Sequence, residues 1–339
     1  MRLIKTEDAV GHVLCHDMTQ IIKDQYKDAR FRKGHVVTEE DIPVLLSMGK
    51  EHLYVWEMTP GMVHENDAAE RLLALCGQEN MIRSGVKEGK IELKAACDGV
   101  FLVDSARLVA VNSQDEVMIA TRKGGMAVRE GDNLAGMRVI PLIIEEEKLR
   151  KAEQAAGDKP LLSLKPYVRK TACIVATGGE VKKGLIKDTF TPVVIDKLKT
   201  YGIETLEVVY SGDGVENVRD AVLAMREKKP DMILCTGGMS VDPDDNTPGG
   251  IKAAGANIIA YGAPVLPGAM FLLGYFDDGM PVMGLPGCVM YAGATVFDLV
   301  LPKIAADVPV TRADLAALGE GGLCLGCKPC HYPICPFGK

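Results

Sequence analysis

The stretch Met232-Ile233-Leu234-Cys235-Thr236-Gly237-Gly238-Met239-Ser240-Val241-Asp242-Pro243-Asp244-Asp245-Asn246-Thr247-Pro248 decides how this chain is read. Its first four residues are apolar and of strand length. Two glycines then turn the chain, and three carboxylates precede an Asn-Thr-Pro helix start. The pattern recurs on both sides. Ala172–Ala176 reads as a strand entering Thr177-Gly178-Gly179-Glu180. Leu206–Tyr210 enters Ser211-Gly212-Asp213-Gly214, and Pro281–Leu285 enters Pro286-Gly287. A further strand is expected at Ile258–Tyr261. Helices are expected at Thr189–Tyr201, Val215–Lys228, Asn246–Ala254 and Val289–Ile304. Strands alternating with helices imply an α/β fold, a mostly parallel sheet flanked by helices, over residues 170–308.

The remaining chain reads differently. Residues 1–80 form an N-terminal α+β region, with one helix running from Thr38 and Asp41 to Gly49 and another at Asn66–Leu75. Residues 81–160 alternate apolar and polar positions between short turn signals, which predicts a small β module followed by a charged helix and linker. Residues 319–339 are a Cys-rich tail. Met280–Phe297 carries no charge. Its Pro281, Gly284, Pro286, Gly287 and Gly293 make it a strand, turn and helix rather than a membrane span.

The 339 residues carry a net charge of −7, which argues against a nucleic-acid-coating surface. The N-terminus has no apolar signal-peptide core, so a reducing, cytoplasmic setting is expected. There, clustered thiols favour metal over disulfides.

Ligands of parallel sheets sit at the carboxyl ends of the strands. Glycines at those ends let backbone N–H groups approach an anion, and a helix start adds a favourable dipole; an ordinary structural turn is the alternative. Asp242, Asp244 and Asp245 repel one another and repel phosphate. A divalent cation, with Mg²⁺ the fitting choice, would relieve both repulsions. The competing reading is a solvated acidic loop capping the next helix.

Over about residues 170–305 the chain resembles the molybdopterin-binding domain of molybdenum-cofactor biosynthesis proteins, of the MogA-like adenylyltransferase and MoeA-like molybdate-insertion types. The motifs that carry the resemblance are Thr177-Gly178-Gly179-Glu180, Ser211-Gly212-Asp213, Thr236-Gly237-Gly238-Met239-Ser240-Val241 with Asp245, Pro267-Gly268, and Gly284-Leu285-Pro286-Gly287. Phe31-Arg32-Lys33-Gly34 through Gly49 is similar to a segment of the insertion type.

The resemblance implies a small-molecule pterin ligand: molybdopterin, or the molybdenum cofactor in adenylylated or metal-loaded form. It implies Mg²⁺ and an ATP or AMP moiety. Thr177, Gly178, Gly179, Thr236, Gly237, Gly238, Ser240, Pro267, Gly268, Pro286 and Gly287 would bind the ligand. Asp245, Asp213 and Glu180 would be catalytic, in a transferase whose rate comes from positioning and charge neutralisation. Family members assemble, so a homo-oligomer is expected.

Three departures argue against molybdate insertion by the usual route. Gly179 stands where an acid is usual. Pro264–Met270 carries no lysine, and Cys288-Val289 replaces Asn-Pro. The alternative is a non-catalytic carrier or sensor that delivers cofactor to a molybdoenzyme.

The tail pattern Cys324-x2-Cys327-x2-Cys330-x4-Cys335-Pro336 offers four thiolates, suited to Zn²⁺ or an Fe–S cluster. An unmetallated tail is the competing reading.

Overall fold

The computed structural model describes residues 2–22, 26–55, 60–179, 185–240 and 245–339. The chain divides into two units: residues 1–96, 103–124 and 131–163, and residues 97–102, 125–130 and 164–339.

The second unit is built on six strands: β1 (Thr171–Thr177), β2 (Glu204–Ser211), β3 (Met232–Thr236), β4 (Asn257–Tyr261), β5 (Leu272–Tyr275) and β6 (Pro281–Leu285). Their order across the sheet is β2-β1-β3-β6-β5-β4. β1 runs parallel to β2 and β3, and β3 parallel to β6. β5 is antiparallel to both β6 and β4, so it alone runs against the rest. Among the described residues the helices that accompany them are α1 (Phe190–Lys199), α2 (Val215–Glu227), α3 (Thr247–Ala253), α4 (Val296–Ala305) and α5 (Arg312–Ala317).

The strands are apolar because both faces of the sheet are covered. Ala172, Ile174, Leu234 and Met283 join one core with Val194 and Leu198 of α1 and Phe297 and Val300 of α4. Their neighbours Cys173, Val175, Ile233, Cys235 and Val282 face the other way, into a second core with Val218 and Val222 of α2 and Ile251 of α3. This alternation gives each central strand two buried faces.

Three elements differ from the sequence reading. α4 starts at Val296 rather than Val289. Thr295 and Asp298 form a reciprocal capping box there, and Gly287–Met290 is a separate short helical turn. β5 was not among the expected strands. In the first unit, Ser105–Asn112 is a helix inside the region read as strands, with the Asp104 side chain accepting Arg107 N at its start.

Among its described residues the first unit pairs Met62–His64 with Ile143–Glu145, and, beside a helix at Asp41–Ser47, Arg2–Lys5 with His52–Val55 and Met18–Ile22 with Tyr26–Phe31, all antiparallel. Leu14, Phe31, Leu45 and Leu53 form their core. A four-stranded sheet takes strands from Met81–Arg83, Ile91–Ala95, Asn133–Val139 and Val117–Thr121, in that spatial order. Residues 97–102 and 125–130, contiguous with that module in sequence, fall in the second unit, where Met126–Val128 pairs with Gly99–Phe101.

β2 is an edge strand. A groove of about 640 Å³ runs along its first half, lined by Ile195, Lys199, Ile203 and Glu204 among others. It lies toward the amino ends of the parallel strands, away from the glycine turns. Among the described residues no helix is long and apolar enough to cross a membrane.

The same end of the sheet is fastened by Asp231. One oxygen, Oδ2, accepts from Lys170 N (2.6 Å), Thr171 N (2.8 Å) and Thr171 Oγ1 (2.9 Å), joining the starts of β1 and β3. Partial burial alone would raise its pKa, but these donors and nearby Arg169 outweigh burial and hold it below the ordinary 3.8. A depressed folded pKa stabilises fully above the unfolded value, and that stabilisation is lost as pH falls through the folded value. Asp231→Ala should therefore lower unfolding free energy by roughly 1–3 kcal/mol at neutral pH. In denaturant titrations, its gap from wild type should shrink below pH ~4.

Candidate functional site

Because β1, β2, β3 and β6 are mutually parallel, their carboxyl ends share one edge. β5 is reversed and begins at that edge, with Leu272 opposite Gly284, so residues 262–271 also lie there. The described residues of the motifs at 177–179, 211–213, 236–240, 267–268 and 284–287 therefore reach one rim of the sheet.

At its centre are two turns. Thr177 ends β1 and Thr236 ends β3, and both are buried. Thr177 Oγ1 donates to the Thr236 carbonyl (3.0 Å) and lies 3.1 Å from Thr247 Oγ1 at the head of α3. Thr247 Oγ1 donates to the Gly237 carbonyl (2.9 Å), and Thr247 N to the Gly238 carbonyl (3.1 Å). Gly237 and Gly238 both adopt left-handed backbone conformations, φ +83° and +55°. A Cβ at Gly237 would overlap the Thr177 carbonyl, and one at Gly238 would sit 2.6 Å from Thr247 Oγ1. These glycines let the two turns and the head of α3 close on one another. That is a tighter requirement than the anion approach expected from sequence.

The flanks carry the acids. Gly178 N donates to the Ser211 carbonyl (3.3 Å), and Gly179 N to Asp213 Oδ2 (3.0 Å), joining the first turn to the one after β2. A Cβ at Gly179 would lie 2.7 Å from that same oxygen. On the other flank Ser240 N donates to Asp245 Oδ2 (2.9 Å). Asp213 and Asp245 thus each spend one oxygen on a backbone N–H of a glycine turn.

Toward β6, Met239 is buried against Gly284, where a Cβ would be 2.5 Å from its sulfur. Gly268 packs against Val296 at the start of α4, and Val296 N donates to the Pro267 carbonyl (3.3 Å). Pro286 and Gly287 open the helical turn after β6, and a Cβ at Gly287 would meet nothing within 4 Å. Both motifs reach the rim through α4 and β6 rather than through hydrogen bonds to the Thr-Gly-Gly turns. Glu180, Asp242 and Asp244 lie outside the described residues.

Two residues of the rim were missed in the sequence. Thr247 looks like an ordinary first helical residue until Thr177 is brought beside it. Tyr261, ending β4, donates its hydroxyl to the Met239 carbonyl (2.9 Å). Burial, and then the charge of Asp245, raise its pKa, so it stays protonated as that donor.

Among the described residues no three His, Cys, Asp or Glu side chains come together in a way that could hold a metal. Cys324 and Cys335 are half-buried, while Cys327 and Cys330 are exposed. Packing contacts hold the knuckle. Phe337 is buried, Tyr332 donates to the Asp298 carbonyl (3.0 Å), and Leu266 and Cys324 are joined by a backbone bond (2.8 Å).

Residues 173–306 match the family described as a probable molybdopterin binding domain. This segment is a domain of that family. Residues 3–57 match a separate domain of unknown function. A CinA-like protein of Mycobacterium tuberculosis is 33% identical over 76 residues, which is 22% of this chain and 18% of the relative. A CinA-like protein of Petrotoga mobilis is 32% identical over 76 residues, 22% of this chain and 19% of the relative. The chain thus spans less than a fifth of the length of the curated relatives it matches. Among solved structures, CinA from Thermoplasma acidophilum is 18% identical, covering 40% of this chain and 98% of its own, with TM-score 0.34. The biosynthesis enzyme MoaB from Thermus thermophilus is 16% identical, covering 42% and 98%, with TM-score 0.36. The fold of the molybdopterin-binding domain rests on the strand order given above.

The glycine contacts separate two kinds of position. Gly238→Ala, left-handed and against a buried hydroxyl, should destabilise by about 1–3 kcal/mol. Gly287→Ala, facing open space, should melt like wild type. Thermal unfolding of the two variants checks both.

Proposed function

We propose that the α/β unit binds a phosphorylated pterin of the molybdenum-cofactor type at the carboxyl rim of its sheet. The family match over residues 173–306 carries this reading. Support comes from the convergence of the glycine turns after β1, β2 and β3 on that rim. Thr177, Gly178, Gly179, Thr236, Gly237, Gly238 and Ser240 would form the central part of the seat. Pro267, Gly268, Pro286 and Gly287 would form its side toward α4.

Asp213 and Asp245 suit a cation better than an anion. Each has Oδ2 on a backbone N–H, and the two carboxylates would be the described residues that hold Mg²⁺. Bound there, Mg²⁺ would supply the charge neutralisation that adenylyl transfer needs. Glu180, Asp242 and Asp244, with an ATP or AMP moiety, belong to the same proposal. The chain's own contribution is to hold the carboxylates on two separate turns, so that they approach the ligand from both flanks.

The missing lysine around Pro267–Gly268 favours a second reading, a carrier that delivers finished cofactor to a molybdoenzyme. Homo-oligomer assembly accompanies either reading.

Anaerobic titration with molybdopterin tests the proposal. Wild type is expected to bind, and absence of binding would sink the pterin reading. Mg-ATP-dependent turnover that drops by about 100-fold or more in Asp245→Asn identifies a transferase. Tight binding without turnover, retained in Asp245→Asn, identifies a carrier.

A further inference from the structure

The ladder between the two central strands ends at Ala176 and Thr236. Beyond it, something other than the sheet must fix the two Thr-Gly-Gly turns against each other. Glycine makes the need acute, because Gly178, Gly237 and Gly238 all sit at positive φ and have other conformations open to them.

Thr247 meets that need from the head of α3. It is 1% exposed, and its hydroxyl stands between Thr177 Oγ1 (3.1 Å) and the Gly237 carbonyl (2.9 Å). Thr177 Oγ1 in turn holds the Thr236 carbonyl (3.0 Å). With one proton each, the two hydroxyls fill two of these three contacts at any moment: both carbonyls, or one carbonyl and the bond between the hydroxyls. The Thr247 backbone N–H closes on the Gly238 carbonyl (3.1 Å). Asp245, two residues earlier, bonds Ser240 N (2.9 Å). One side chain thus sets the spacing of both glycine turns and the place where the Asp245 segment returns to them.

We propose that Thr247 is a positioning residue for the pterin seat. It does not touch the ligand, but pre-sets the two turns that receive it. This role rests on the pterin-binding reading above. Removing the hydroxyl while keeping the shape leaves the Gly237 carbonyl without its buried donor and frees the second turn from the first.

The test uses the full chain and the phosphorylated, fluorescent air-oxidation product of molybdopterin as probe. Thr247→Val is expected to lose about tenfold or more in affinity while remaining folded by circular dichroism. Thr247→Ser, which restores the hydroxyl, should recover wild-type affinity. Thr177→Val removes the shared contact from the other side, and the double valine variant should bind no worse than the weaker single. Should Thr247→Val not fold, Thr177→Val with Thr247→Ser is read in its place. Wild-type affinity in Thr247→Val, a serine variant as weak as valine, or additive losses would each overturn the role of Thr247 alone. A wild type that does not bind the probe overturns the pterin reading, and this role with it.

Discussion

Two parallel strands buried on both faces end side by side, and the rest of the rim follows from how little room they leave. β1 and β3 are adjacent in the sheet, so the turns that follow them begin a strand spacing apart. At that distance a Cβ on Gly237 would run into the first turn, and one on Gly238 into the head of α3. Threonine hydroxyls then take up the carbonyl groups that the ladder no longer serves. The acids are placed by the same closeness, since each is anchored by a backbone N–H of one of these turns.

How far the sequence could be read depended on how local the cause was. β1, β3 and β6 were legible because burial on both faces leaves an unbroken apolar run ending in glycine. β5 was not, because Leu272–Tyr275 follows Phe271 and contains Gly274, and so carries no clear period. The start of α4 was blurred by the apolar run before it, although Thr295 and Asp298 carry a Thr-x-x-Asp signal. In the first unit, short turn signals on either side hid the Asp104 cap of a helix.

At the rim, the glycines and acids stood out by composition, but the reason for the glycines did not. Nothing local to Thr247 shows that it will meet Thr177, seventy residues earlier in the chain. Tyr261 was hidden likewise, since its partner lies across β6 and β5 in the sheet. The shape of the tail was hidden as well. Its cysteine spacing is a strong local signal, yet Phe337 and Tyr332 decide its shape by packing against the core around α4.

The lone reversed strand has a consequence for how the domain can vary. Returning from β4 to β6 through β5 needs no crossover helix, so the chain visits the far margin of the sheet in the short turn at residues 276–280. Extra residues there would project from the side opposite the acids and glycines. The same addition within 262–271 would pry Pro267 from the head of α4. Lineages elaborating this domain therefore have one margin free for new surface and another held to a fixed length.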